Sequence, residues 1–231
     1  MHIGKILFPF AELSGDITEK GSSDFAGDEW HPNSLFDLID KFGKDNKALR
    51  MHFCNPEIPS IVICDDLNAE VADFIICNEG SQKRVVFIHA KCLKGDKRSL
   101  CSASSIQDVC SQAIKNIHFL SMFNSDVPPN DWSKKWKLNK SAVNTHKTRI
   151  RKPDGLTKKQ AWDKIKNLIR DPLTQKEVWL FLGNIFSEAE FKRQLKKTKP
   201  DYNALQAALL LHATMQSVGS IDAKLKVLCS A

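Results

Sequence analysis

The stretch Glu70–Lys91, EVADFIICNEGSQKRVVFIHAK, constrains the fold of this chain more than any other. Val71–Cys77 and Arg84–His89 are rich in β-branched and aromatic residues, and Asn78-Glu79-Gly80-Ser81 between them carries turn formers. That composition reads as two strands joined by a turn. The second strand is apolar without alternation (Val85, Val86, Phe87, Ile88, Ala90), the pattern of a strand buried on both faces in the middle of a sheet. It ends in His89 and Lys91, which are two apart and so share a face. The first strand embeds an acid, Asp73, in apolar neighbours, and pairing the strands can bring that acid beside the histidine and lysine. An acid, a lysine and one further ligand on adjacent strands form the pattern of a divalent-metal site.

More acids lead into the hairpin. Ser60–Cys64 reads as a strand, and Asp65, Asp66 and Glu70 follow it just before Asp73. Carboxylates this close repel one another unless a cation or lysine compensates. Two readings stand side by side: a polar turn in which Asp65 or Asp66 bonds local amides, or a set of metal ligands. Glu70 lies three residues before Asp73, so a regular strand would turn them to opposite faces, and only a turn or bulge lets them converge.

The rest of the chain alternates helix and strand signals, which predicts an α/β protein. Residues 1–32 read as a short apolar piece, Ile3–Leu13, and a loop. Asn33 or Ser34 caps a helix with Leu35, Phe36, Leu38, Ile39 and Phe42 on its apolar face and Gly43 near its stop. After a polar loop holding Lys94, Lys97 and Arg98, Ser104 or Ser105 starts a helix. Its packed face is Ile106, Val109, Cys110, Ala113, Ile114, Ile117 and Leu120. Pro153-Asp154-Gly155 marks a turn and the preferred boundary of a C-terminal unit. There Thr157 caps Lys158–Arg170, Lys176–Gly183 is a strand, Ser187 caps Glu188–Leu195, Tyr202–Val218 is a helix and Ala223–Cys229 a strand. This order is consistent with a crossover and parallel pairing.

Hydrophobic residues make up 42% of the chain and charged ones 26%, as in soluble globular proteins. The longest apolar run, near Ala204–Met215, is too short to span a bilayer, and the N-terminus lacks the ordered parts of a secretory signal. Seven cysteines without paired spacing suit a reducing cytoplasm, and Cys64, Cys77 and Cys229 sit in apolar, strand-like runs as small core residues. The gaps between Cys92, Cys101 and Cys110, with His118, form no zinc knuckle.

The net charge of +7 is concentrated. Between Trp132 and Lys159, Lys134, Lys135, Lys137, Lys140, Lys147, Arg149, Arg151, Lys152, Lys158 and Lys159 face a single acid, Asp154, with Trp132, Trp136 and His146 interleaved. Basic side chains neutralise phosphates and aromatics stack on unpaired bases. Lys134, Lys135, Lys147, Arg149, Arg151 and Lys152 are therefore the candidate nucleic-acid contacts, with a solvated basic linker as the alternative.

Ala72-Asp73-Phe74-Ile75 followed by Val86-Phe87-Ile88-His89-Ala90-Lys91 resembles the core of PD-(D/E)xK nucleases, with Ala72 for the proline and His89 where the second acid stands. The wider pattern, Cys64-Asp65-Asp66 … Glu70 and Val109–Ile117 (VCSQAIKNI), is similar to nuclease-like domains of bacterial defence systems and helicase-associated regions. The resemblance covers Asn33 to the C-terminus and leaves residues 1–32 outside. It implies a mixed central sheet with flanking helices, a restriction-endonuclease-like core over 33–130, then a basic linker over 131–156 and a C-terminal α/β lobe over 157–231. It also implies a Mg²⁺- or Mn²⁺-dependent phosphodiesterase acting on DNA, in anti-phage defence. Asp73 would bind the ion with His89, the Ala90 carbonyl, or an acid from Asp65, Asp66 or Glu70, and Lys91 would assist the attacking water. The preceding helix would lend Asp37 or Asp40, and the following one Gln112 and Lys115, with polar residues of solvated helix faces as the alternative reading for all four. An imidazole ligand favours Mn²⁺ over Mg²⁺. The alternative is a catalytically inactive nuclease-derived module that binds nucleic acid beside a helicase or other defence partner. A third reading is an interaction domain that contacts an acidic protein. No membrane partner is expected, and an oligomer is compatible with these residues.

Overall fold

The computed structural model describes the chain except residues 1–2, 16, 22–27, 42–50, 54–56, 68, 94–100 and 138–146. Phe42, Gly43, Lys94, Lys97, Arg98, Lys140 and His146 lie outside the described residues. Among the described residues, seven strands form one mixed sheet: β1 (Leu7–Pro9), β2 (Ile61–Cys64), β3 (Phe74–Asn78), β4 (Arg84–Lys91), β5 (Ile150–Lys152), β6 (Gln175–Leu182) and β7 (Lys224–Cys229). Their order across the sheet is β1-β7-β6-β4-β3-β2-β5. Five helices lying within the described residues flank it: α1 (Leu35–Lys41), α2 (Ala103–Lys115), α3 (Lys158–Arg170), α4 (Glu188–Leu195) and α5 (Tyr202–Gly219).

The hairpin sits at the centre, as the apolar run of its second strand predicts. β3 and β4 pair antiparallel from Phe74↔Ile88 to Asn78↔Arg84. On its other side β4 pairs parallel with β6 along its whole length, from Arg84↔Gln175 to Lys91↔Leu182. Both neighbours and both faces of β4 are occupied, so a continuous apolar sequence is the one that fits. One face packs Val85 and Phe87 against Ile106, Val109 and Ala113 of α2, Ile165 of α3 and Leu211 of α5. The opposite face packs Val86, Ile88 and Ala90 against Phe36 and Ile39 of α1, Trp30 and Trp136.

The helix starts follow from local chemistry. Thr157 caps α3 through a reciprocal capping box with Gln160, and Ser187 caps α4 by accepting from the Glu190 amide. Ser102 caps α2, ahead of the expected start at Ser104 or Ser105, and Ile117–Leu120, expected to continue that helix, forms a separate 3-10 turn. β6 and β7 pair parallel, as the helix–strand alternation predicts.

Three assignments differ from expectation. The segment expected to form a separate C-terminal lobe supplies β6 and β7 to the same sheet, because β6 finds its partner in β4. Residues 1–32, expected outside the core, add β1 at the edge, parallel to β7. The expected basic linker contains β5, which pairs antiparallel with β2, where Ile150 joins the core despite its charged neighbours. No helix among the described residues is long and apolar enough to cross a membrane.

Candidate metal centre at the end of the sheet

β2 ends at Cys64, and Asp65 and Asp66 follow it directly. Being consecutive, they point in opposite directions. Asp65 is buried and accepts from the Val71 amide (2.8 Å) and the Trp132 indole (2.5 Å). Asp66 turns the other way, accepting from the Trp136 indole at Oδ2 (2.7 Å) and from Lys20 Nζ at Oδ1 (2.8 Å). The two tryptophans of the basic segment are thus buried donors to two acids, not stacking surfaces. A buried indole N–H needs such an acceptor.

From Asp66 the chain turns sharply. Leu67 adopts a left-handed backbone (φ 77°), unusual for a residue other than glycine, and its amide donates to Glu70 Oε2 at 2.8 Å. Asn130 donates to the carbonyls of Asp65 and Leu67, and buried Arg149 donates to those of Cys64 and Asp66. The Asn116 amide holds the Glu70 carbonyl at 2.8 Å. This braced turn is what the strand parity demanded: it swings Glu70 to the same side as Asp73. Asp73, just before β3, accepts from the Ala90 amide of β4 at 2.7 Å and so closes the end of the hairpin ladder.

Carboxylate oxygens of Asp66, Glu70 and Asp73 lie within 4.8 Å of one another. This group could hold a metal ion, and among the described residues no other cluster of three histidine, cysteine or acidic side chains does so. Its electrostatics match its crowding. Burial, reinforced by the negative charges of Asp66 and Glu70, pushes the Asp73 carboxyl well above the ordinary carboxylate range. Burial and Asp66 raise Glu70 in the same direction. Burial lowers the pKa of the Lys20 ammonium, but Asp66, Asp73 and Glu19 outweigh it and hold the group above the ordinary lysine value.

Of the four metal ligands expected from sequence, Asp66, Glu70 and Asp73 come together and His89 does not join them. His89 is buried, and desolvation lowers its pKa to about 4, so the imidazole is neutral at pH 7. Lys91 pairs with Asp108 of α2 at 3.7 Å, which places it toward that helix. Gln112, one turn further along α2, is half-buried and Lys115 is exposed. Asp37 pairs with Lys41 (2.8 Å), and Asp40 holds Arg151 through two bonds of 2.8 Å.

The basic segment divides in two. Lys134, Lys135 and Lys137 are exposed on either side of buried Trp136, and Lys152 is half-buried. Lys147 and Arg149 are buried, and the Arg151 side chain is only 5% exposed. Lys147 lies over the Trp30 ring, and its backbone bridges Trp136. These three act inside the protein, so in this structure their side chains are not presented to a solvent-borne phosphate.

Two features of the site were not read from sequence. Lys20 belongs to a segment placed outside the core, 46 residues from its partner Asp66. The roles of Trp132 and Trp136 had a signal: two indoles four residues apart are too apolar for a solvated linker. The consecutive acids Asp65 and Asp66 are the matching acceptors.

No protein-family model, curated protein or solved structure matches this chain, so its assignment rests on the sheet and the acidic centre described above.

Proposed function

We propose that the chain is a Mg²⁺- or Mn²⁺-dependent nuclease that cleaves DNA phosphodiester bonds, with a restriction-endonuclease-like core formed by α1, β2, β3, β4, α2 and β6. One observation carries the reading: three carboxylates from the β2–β3 connection converge within 4.8 Å beside a lysine, where β4 ends. In α/β sheets, ligands bind outside the carboxyl ends of strands, and β4 and β6 run parallel to that end.

The donor set fits the ion class. Mg²⁺ takes oxygen ligands at about 2.0–2.1 Å and keeps several waters, so a few carboxylates suffice to hold it. A set of three oxygens without imidazole suits Mg²⁺ as well as Mn²⁺, so the Mn²⁺ preference expected from a His89 ligand does not carry over. When bound, such an ion polarises a phosphate and acidifies a water. Asp66, Glu70 and Asp73 would hold it, and the Ala90 amide and the Trp136 indole keep Asp73 and Asp66 oriented. Lys91, paired with Asp108 at the rim between β4 and α2, would meet charge developing on the phosphate. Exposed Lys134, Lys135 and Lys137 flank the residue that braces Asp66, so a DNA backbone following them passes the centre.

Supercoiled plasmid incubated with Mg²⁺ or Mn²⁺ tests the reading. Cleavage should vanish in Asp66→Asn and Asp73→Asn, and cleavage that persists in both would refute it. A second reading, an inactive nucleic-acid-binding module for a defence or helicase partner, is favoured by neutral, buried His89 at the position of the second acid. Salt-sensitive DNA binding with metal uptake but no cleavage would select it.

A further inference from the structure

We infer that Lys20, from the N-terminal segment, is the working cation of this centre. The inference rests on the nuclease reading above and concerns a residue outside the hairpin that suggested it. Among the described residues, no other lysine or arginine side chain forms an ion pair with Asp66, Glu70 or Asp73. The Lys20 ammonium is 2.8 Å from Asp66, whose side chain is 2% exposed, while Lys20 itself keeps 20%. It is therefore held by the centre yet open to solvent, as a group that must meet a substrate requires.

The segment that carries it is built in. The amide of Thr18 donates to the Asn33 carbonyl (3.0 Å), and the carbonyls of Thr18 and Glu19 accept from the Leu35 and Phe36 amides of α1. Glu19 accepts from the Cys92 amide just beyond β4, and the Cys92 thiol donates to the Ile17 carbonyl. The Lys20 ammonium rests over the Phe36 ring, 5.3 Å from its centroid. Directly after it, Gly21 turns in the left-handed region (φ 84°) with its amide on Thr18 Oγ1. A Cβ there would collide with His31, so the turn that fixes Lys20 needs glycine. Side chains locked in this way give the preorganisation that electrostatic catalysis needs.

The charges agree. Three carboxylates and one divalent ion carry a net charge of −1, and the Lys20 ammonium brings the set to neutral, so the negative charge that builds on a phosphodiester during attack meets no net repulsion from the centre. Lys20 thus acts on the reacting phosphate in the transition state more than in the ground state.

The test compares the wild-type chain with Lys20→Met and Lys20→Gln, measuring plasmid cleavage, KM and Mn²⁺ binding by calorimetry. Lys20→Met should lower kcat by about 10²–10³, the effect of removing one transition-state donor, with KM little changed and Mn²⁺ still bound. Cleavage near the wild-type rate would overturn the inference. So would loss of Mn²⁺ binding together with cleavage, which would make Lys20 only a brace for Asp66. If Lys20→Met does not fold, Lys20→Gln decides: it keeps a donor toward Asp66 but carries no charge. A full rate in Lys20→Gln overturns the inference, and a reduced rate with Mn²⁺ bound supports it. A wild-type protein that binds Mn²⁺ but cuts nothing ends the nuclease reading itself, a different outcome from either.

Discussion

Replacing Arg151 separates structural from nucleic-acid roles within the basic segment. Its guanidinium makes a fork on Asp40, Nε to Oδ1 and Nη2 to Oδ2, both at 2.8 Å. The two side chains are 5% and 3% exposed. A second arm reaches Asp28 at 2.8 Å, but that acid is 52% exposed and adds little. Arg151→Ala leaves Asp40 buried without a partner, and removing one member of a buried pair costs about 3–5 kcal/mol. In a chain of this size each kcal/mol moves Tm by about 2–4 °C, so the melt should fall by roughly 6–20 °C. Lys134→Ala is the comparison: its side chain is 81% exposed and 3.8 Å from Asp131, and the change should stay within about 0.5 kcal/mol. Thermal melts followed by circular dichroism read both. The double change Arg151→Met with Asp40→Leu should recover much of the loss, since it leaves no buried charge. A folded Arg151→Ala protein with unchanged Tm and weakened DNA binding would refute the reasoning, because the side chain would then face the partner.

Other outcomes follow from the same geometry. Trp136→Phe keeps the ring but removes the donor to Asp66 and should cost about 1–3 kcal/mol in the melt. It should also weaken Mn²⁺ binding by about 10–100-fold, as loss of an outer-shell partner does. The pH dependence has a definite sign. Asp73 has a folded pKa raised above its unfolded value, so its contribution is fully present below about pH 4 and is lost as pH rises through the raised value. Metal-free protein should therefore melt lower at pH 8 than Asp73→Asn does, and a flat difference between the two from pH 5 to 8 would contradict this. His89→Leu should leave Mn²⁺ affinity unchanged, since the imidazole lies outside the acidic group; a large loss by calorimetry would make it a ligand.

What the sequence disclosed was local. The apolar run Val85–Ile88 announces a central strand because burial on both faces leaves no room for alternation. Thr157 and Ser187 announce α3 and α4 because a cap bonds within its own turn. The acids Asp66, Glu70 and Asp73 could be named as ligands since they lie within eight residues of one another and had to be neutralised by something. What neutralises Asp66 could not be read, because Lys20 arrives through tertiary docking of Ile17–Lys20 on α1 and β4. β5 was hidden for a related reason: Ile150-Arg151-Lys152 is charged, and the buried Asp40, with Asp28 beside it, makes Arg151 acceptable there. Charge density alone suggested a phosphate track across Lys147, Arg149 and Arg151, yet charged groups are also recruited inward when carbonyls and acids await them.

The account depends most on the three carboxylates acting as one cation site. Calorimetric titration of the metal-free protein with Mn²⁺ tests this directly. Wild type should bind one ion per chain, and at an ion concentration a hundredfold above Kd its folded state should gain about 2.7 kcal/mol. Asp73→Asn should lose both the heat and the gain. Binding of equal strength in Asp73→Asn, or no binding in wild type, would contradict the account.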